Sequence, residues 1–167
     1  MDDLLDLAKL QLERVKGTLN GIGLRYTEID PFLMGVGVGI PFGPAEFVVI
    51  SVSAGGTESM LNLASGVLKD LPQDPLKILR VCNERTRNNP TFPHFLQDGE
   101  AGWAVLVQHR TPAAALYDIP GMMQGIIESL PAIARKSREK FAEAGVTGHP
   151  YGWNAADARQ VLIRTLI

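Results

Sequence analysis

The chain has 167 residues, 46% hydrophobic and 20% charged, with a net charge of −2 and one cysteine, Cys82. That length and balance predict a single soluble core that needs no metal or disulfide staple, and a lone cysteine excludes an internal disulfide and Cys-based metal clusters, which suits a reducing compartment. The acidic balance excludes generic nucleic-acid binding, no apolar run approaches the roughly 18–20 residues that span a bilayer, and the acidic start Met1-Asp2-Asp3 lacks the positive charge of a signal peptide, so a cytoplasmic location is expected.

The spacing of Leu4, Ala8, Leu12, Val15 and Leu19 predicts an amphipathic helix over 3–19, capped by Asp2 or Asp3 and stopped by Asn20-Gly21. A short strand over 24–29 is expected next, with Leu24, Tyr26 and Glu28 on one face. Bulky residues at Met34, Val36, Val38 and Ile40 then alternate with Gly35, Gly37 and Gly39, the period of a pleated strand. Pro41 to Pro44 makes a turn. The stretch 46–53 is strongly β-prone, with Phe47, Val49 and Ser51 opposing Val48, Ile50 and Val52.

After Gly55-Gly56, residues 60–68 fit either a helix or a strand, and the preceding turn with Gly66 favours the strand. Asp74-Pro75 is a helix start: an Asp cap with proline where its missing N–H costs nothing. In the helix that runs to Asn88, Leu76, Leu79 and Cys82 are expected inward with Ile78 beside them, and Lys77, Arg80, Glu84 and Arg87 outward. Residues 91–97 and 102–109 form a hairpin over Asp98-Gly99. In its second strand Trp103, Val105 and Val107 oppose Ala104, Leu106 and Gln108. A closing helix over 118–144 starts at the Asp118 cap, buries Met122, Ile126, Ile127, Leu130, Ile133, Ala134 and Phe141, kinks at Pro131 and ends at Gly145. Residues 145–153 read as a loop, and Asn154 caps a short helix carrying Val161, Leu162, Leu166 and Ile167.

The expected fold is therefore α+β: a single antiparallel sheet of about five strands packed by helices, in the order α-β-β-β-α-β-β-α, plus a short C-terminal helix. Residues 1–145 form the domain and 146–167 a C-terminal extension.

Reactive groups do not converge. Gly35, Gly37 and Gly39 suggest a phosphate loop, but Pro41 and Pro44 follow where a helix start is required, so alternating glycines inside a strand are the better reading. Cys82 falls on an inward helix stripe, where a thiol is structural. His94, His109 and His149 are scattered; the first two meet only if the hairpin register slips, and two imidazoles make a weak metal site. The basic run 135–140 alternates with apolar and acidic residues, as a solvated face does. No cofactor motif is present.

The stretch LKILRVCNERTRN over 76–88, then FPHFLQDG over 92–99 and WAVLV over 103–107, resembles the YbjN-type domains of bacteria. In these a helix bearing a Cys-Asn pair precedes a hairpin with an acidic-Gly turn and a long final helix. The element order also resembles class I type III secretion chaperones, which share that fold. The resemblance covers about residues 20–145 and implies homodimers and a binding or regulatory role rather than catalysis. The Gly-rich strand and the tail 145–167 depart from the pattern.

The expected function is thus a non-catalytic, dimeric module that binds a segment of a partner protein. Its partner or dimer surface is expected among Phe47, Val49, Trp103, Val105, Met122, Met123, Val161 and Leu162. The alternative is a small-molecule or nucleotide binder using the Gly-rich segment 35–43. A third possibility is a domain whose tail anchors it to a larger assembly.

Overall fold

The computed structural model describes residues 2–32, 35–55, 58–72, 74–99, 101–114 and 120–166. Met34, Gly56, Asp118 and Ile167 lie outside these residues. Helix α1 (Asp2–Gly21) leads into four successive strands, β1 (Thr27–Phe32), β2 (Gly35–Gly43), β3 (Glu46–Gly55) and β4 (Glu58–Leu71). Helix α2 (Pro75–Asn88), the hairpin β5 (His94–Gly99) and β6 (Gly102–Pro112), and helices α3 (Pro120–Glu143) and α4 (Ala155–Leu166) complete the chain.

All strand pairs are antiparallel, in one six-stranded sheet of order β1-β2-β3-β4-β6-β5. The fold is α+β, as the alternation predicts, with six strands where about five were expected; the short strand expected over 24–29 runs over 27–32 and pairs with β2. The ambiguous stretch 60–68 is a strand, the middle of β4. There β3 on one side and β6 on the other supply cross-strand partners. The hairpin β5–β6 places β6 against β4 and leaves β5 on the edge.

Alternation along β3 divides the protein into two layers. Val48, Ile50 and Val52 enter a large core with Ala8, Leu12, Val15 and Leu19 of α1, Ile78 and Cys82 of α2, and Ile127, Leu130 and Phe141 of α3. Phe47 and Val49 point the other way, into a smaller core with Ala64, Leu106, Tyr151, Ala158, Val161 and Leu162. Thus α1, α2 and α3 cover one face of the sheet and α4 covers the other. Each fully buried aliphatic chain in these layers contributes about 1.5–3 kcal/mol.

Local chemistry sets the helix ends. The Asp74 carboxylate accepts from the Leu76 N–H at 2.9 Å, a cap that stabilises α2 by about 1 kcal/mol. Gly145, at φ +74°, closes α3, with the Val146 N–H returning to the Phe141 carbonyl at 2.9 Å. Helix α1 ends at Gly21, as Asn20-Gly21 predicts; the left-handed residue follows at Gly23, φ +76°, and the Leu24 N–H reaches the Leu19 carbonyl. The loop then seats Leu24 against the core.

Two helix faces differ from expectation. In α2 the buried stripe is Ile78, Val81, Cys82 and Arg85, whereas Leu76 and Leu79 are 62% and 40% exposed. An arginine occupies the inward position one turn after Cys82, because α3 offers it a hydroxyl partner there. In α3, Met122 is exposed and Met123 buried in its place, while Ile126, Ile127, Leu130, Ala134 and Phe141 are buried as expected. Ser137, inside the basic run 135–140, is also buried. Arg135 grips Glu46 with two bonds of 2.6 Å and Arg138 adds a third at 3.4 Å, which ties α3 to the start of β3. That run is therefore not merely a solvated face. The guanidinium of Arg135 holds the Glu46 carboxyl below its usual range.

Candidate functional site

The far face of the sheet is cut away by glycine. An added Cβ at Gly37 would lie 2.7 Å from the Ile50 carbonyl oxygen and 2.9 Å from the Leu162 side chain. At Gly39 it would lie 2.7 Å from the Trp153 ring, and at Gly66 only 2.3 Å from the Tyr151 ring. Gly37 and Gly39 of β2 and Gly66 of β4 therefore admit a leucine and two aromatic rings of the C-terminal segment. Because Leu162 and Trp153 fill these notches and 35–43 is a strand, the Gly-rich segment offers no phosphate cradle, and the nucleotide reading fails on geometry.

Polar contacts fasten the same segment. Lys69 and His149 exchange backbone bonds of 2.8 and 2.9 Å, and the Trp153 N–H donates to the Pro44 carbonyl at 2.9 Å. Asn154 caps α4 by accepting from the Asp157 N–H at 2.8 Å, while Asp157 accepts from the Gly152 N–H at 2.7 Å. The buried hydroxyls of Ser51 and Thr165 meet at 3.0 Å. Trp153 tilts against Phe47 with centroids 5.4 Å apart.

Where α4 leaves the sheet, a cleft of about 880 Å³ opens between it and β1. Ile29, Trp153, Ala158 and Ile163 form its apolar walls; Thr27, Asn154, Arg159 and Gln160 add polar groups. Its volume lies within the range of small-molecule and peptide-side-chain sites. Strand β1 is a sheet edge, so a row of its N–H and C=O groups faces away from β2. Glu28, which also borders the cleft, pairs with Lys16 of α1.

The eight residues expected to form a partner or dimer surface do not form one exposed surface. Phe47, Val49, Val161 and Leu162 are at most 2% exposed and bury one another in the small core. Val105 and Met123 are fully buried on the other face, and Trp103 is half-buried against the same large core. Of the eight, Met122 alone is exposed, at 45%. The reason is geometric: period-two alternation says that a face is apolar but not what covers it, and here the tail covers it. Ile29, Trp153 and Ile163, which line the cleft, gave no sequence signal beyond apolar character in or beside regular elements.

A second unforeseen group lies between α2, β5 and α3. Ser137 Oγ accepts from Arg85 Nε at 3.1 Å and stands 2.6 Å from His94 Nε2. The three side chains are buried. Burial, reinforced by the Arg85 charge, lowers His94 to about 4, so its imidazole is neutral near pH 7 and accepts from the Ser137 hydroxyl. The pair has the spacing of a nucleophile and base, but Ser137 has no exposed surface through which a substrate could reach it. His109 is elsewhere, tilted against Phe92 at 5.8 Å and bonded to the Thr91 carbonyl, so the two hairpin histidines do not meet. Cys82 is 1% exposed, and burial pushes its thiol up to about 12.

Among the described residues no helix is long and apolar enough to cross a membrane. No family model and no curated protein matches the chain. A solved structure does: that of YbjN from E. coli, described as a candidate transcription regulator, aligns with a TM-score of 0.55 and 13% identity over 81% of this chain and 93% of that one. The chain has a YbjN-like fold.

Proposed function

We propose that this chain is a non-catalytic, homodimeric binding and regulatory module that takes an extended segment of a partner protein into the cleft between β1 and α4. The observation that carries this reading is the cleft itself, about 880 Å³ with apolar walls, beside an edge strand. A peptide laid along β1 gains main-chain bonds from the strand and buries a side chain between Ile29, Trp153 and Ile163. A regulatory role agrees with the description of YbjN, and the net charge of −2 directs the recognition towards protein rather than DNA. For the homodimer, the exposed Leu76 and Leu79 of α2 supply an apolar patch outside both cores.

The test is selection of peptides from a display library on the folded chain, followed by amide chemical-shift mapping. Selected peptides are expected to shift residues 27–32 and 153–163 and to lose at least about tenfold in affinity on Ile163→Asp, since an apolar contact is replaced by a charge. Binders that map to another face, or that ignore this substitution, would sink the reading.

A further inference from the structure

On the other flank of α4 a smaller cavity, about 190 Å³, is lined by charged and polar groups: Lys69, Asp70, Tyr151, Asp157, Gln160 and Arg164. It exists because the β4–β6 register shifts between Leu68 and Leu71, which leaves Lys69 and Asp70 out of the ladder. Asp70 adopts φ +56°, the left-handed region that residues with a Cβ seldom occupy and that recurs at functional sites.

The charges in this cavity are not all matched. Lys69 Nζ meets both Asp157 oxygens, at 2.9 and 3.1 Å, so that pair is satisfied internally. Arg164 and Asp70 are left over: neither makes an ion pair among the described residues. Arg164 spends one N–H on the Asp98 carbonyl at 2.5 Å, and its Nε is buried without a hydrogen-bond partner. Burial pushes the Tyr151 hydroxyl up to about 12; Arg164, through its charge and a hydrogen bond, opposes that push, while the charges of Asp157 and Asp70 add to it.

We propose that this cavity binds a small free α-amino acid, its carboxylate on Arg164 and its ammonium on Asp70. A lone anion would be repelled by Asp70, and a lone cation by Arg164 and Lys69. A molecule carrying both charges a few bonds apart gains on each side. The volume, roughly that of six water molecules, suits glycine, alanine or serine. This site goes beyond the partner-segment reading and does not depend on it.

The test is titration of the labelled full chain with L-alanine, followed by amide shifts, with acetate and methylammonium as single-charge probes. L-Alanine is expected to give saturable shifts at residues 69–70, 101–104 and 151–164, and the single-charge probes to give none at equal concentration. Asp70→Asn, which keeps a residue tolerant of the left-handed region, and Arg164→Gln should each weaken binding at least about tenfold, with the melting temperature of Asp70→Asn unchanged. Three results would overturn the proposal: no saturable shift at these residues, acetate binding as well as L-alanine, or undiminished binding by Asp70→Asn.

Discussion

Gly66 faces the ring of Tyr151 so closely that a Cβ on the glycine would come within 2.3 Å of it. Tyr151 is 2% exposed, and the backbone just before it is pinned to β4 by the Lys69–His149 bonds, so the ring has little room to retreat. Gly66→Ala is therefore expected to cost about 1–3 kcal/mol by overpacking. Tyr151→Ala alone should cost about 3 kcal/mol through the cavity it leaves. The double substitution should cost less than the sum by at least about 1 kcal/mol, because the smaller ring-free site accepts the methyl. Urea denaturation of the four proteins measures this, and additivity would show that glycine is not there to admit the ring.

Protonation of His94 should set part of the acid sensitivity. In the unfolded chain an imidazole titrates at 6.5, whereas the buried His94 does so at about 4. Between those values the unfolded state holds the proton and the folded state does not. Stability is thus fully present above about pH 6.5 and is lost as pH falls towards 4, by roughly 3 kcal/mol at most. Unfolding free energies of the wild type and His94→Gln at pH 7 and pH 4 should differ in slope by this amount. Parallel pH profiles would contradict the assignment.

Cys82 should be inert while the protein is folded. Its thiol is buried against the large core and pushed up to about 12, so thiolate is scarce near neutrality. Alkylation by iodoacetamide is expected to be at least about a hundredfold slower in buffer than in denaturant. Comparable rates in the two solvents would mean that α2 opens readily.

Leu76 and Leu79 supply the test of self-association. Both are exposed on α2, so charge there costs little folding stability. Leu79→Glu, alone or with Leu76→Glu, is expected to convert a dimer to a monomer in light scattering without lowering the melting temperature by more than a few degrees. A wild-type chain that is already monomeric at high concentration would remove α2 as an interface.

The strands and helices were legible because hydrophobic periodicity is a local property. Phe47 and Val49 could be assigned to one face of β3, and Val48 and Ile50 to the other, from alternation alone. Asp74-Pro75 announced a helix start because capping involves residues two apart. Phase along α2 and α3 was less secure. Leu76 and Leu79 of α2 and Met122 of α3 face outward instead, because propensity cannot weigh a buried Arg85 bonded to Ser137 from 52 positions away.

The candidate site was less legible still. Gly35, Gly37 and Gly39 marked an unusual strand, but a missing side chain does not say what fills the space. That answer lies in Trp153 and Leu162, more than a hundred residues away in the sequence. The cleft beside Ile29 and the charged cavity at Asp70 arise where α4 meets the sheet, and no motif encodes that meeting. The amino-acid order by itself determined the elements, their apolar faces and the α+β class, since each follows from neighbours a few residues apart. Only the tertiary structure decided that the tail covers the second face, which buried polar groups find partners and which charges remain unmatched. Those outcomes depend on contacts between segments whose sequences carry no mark of one another.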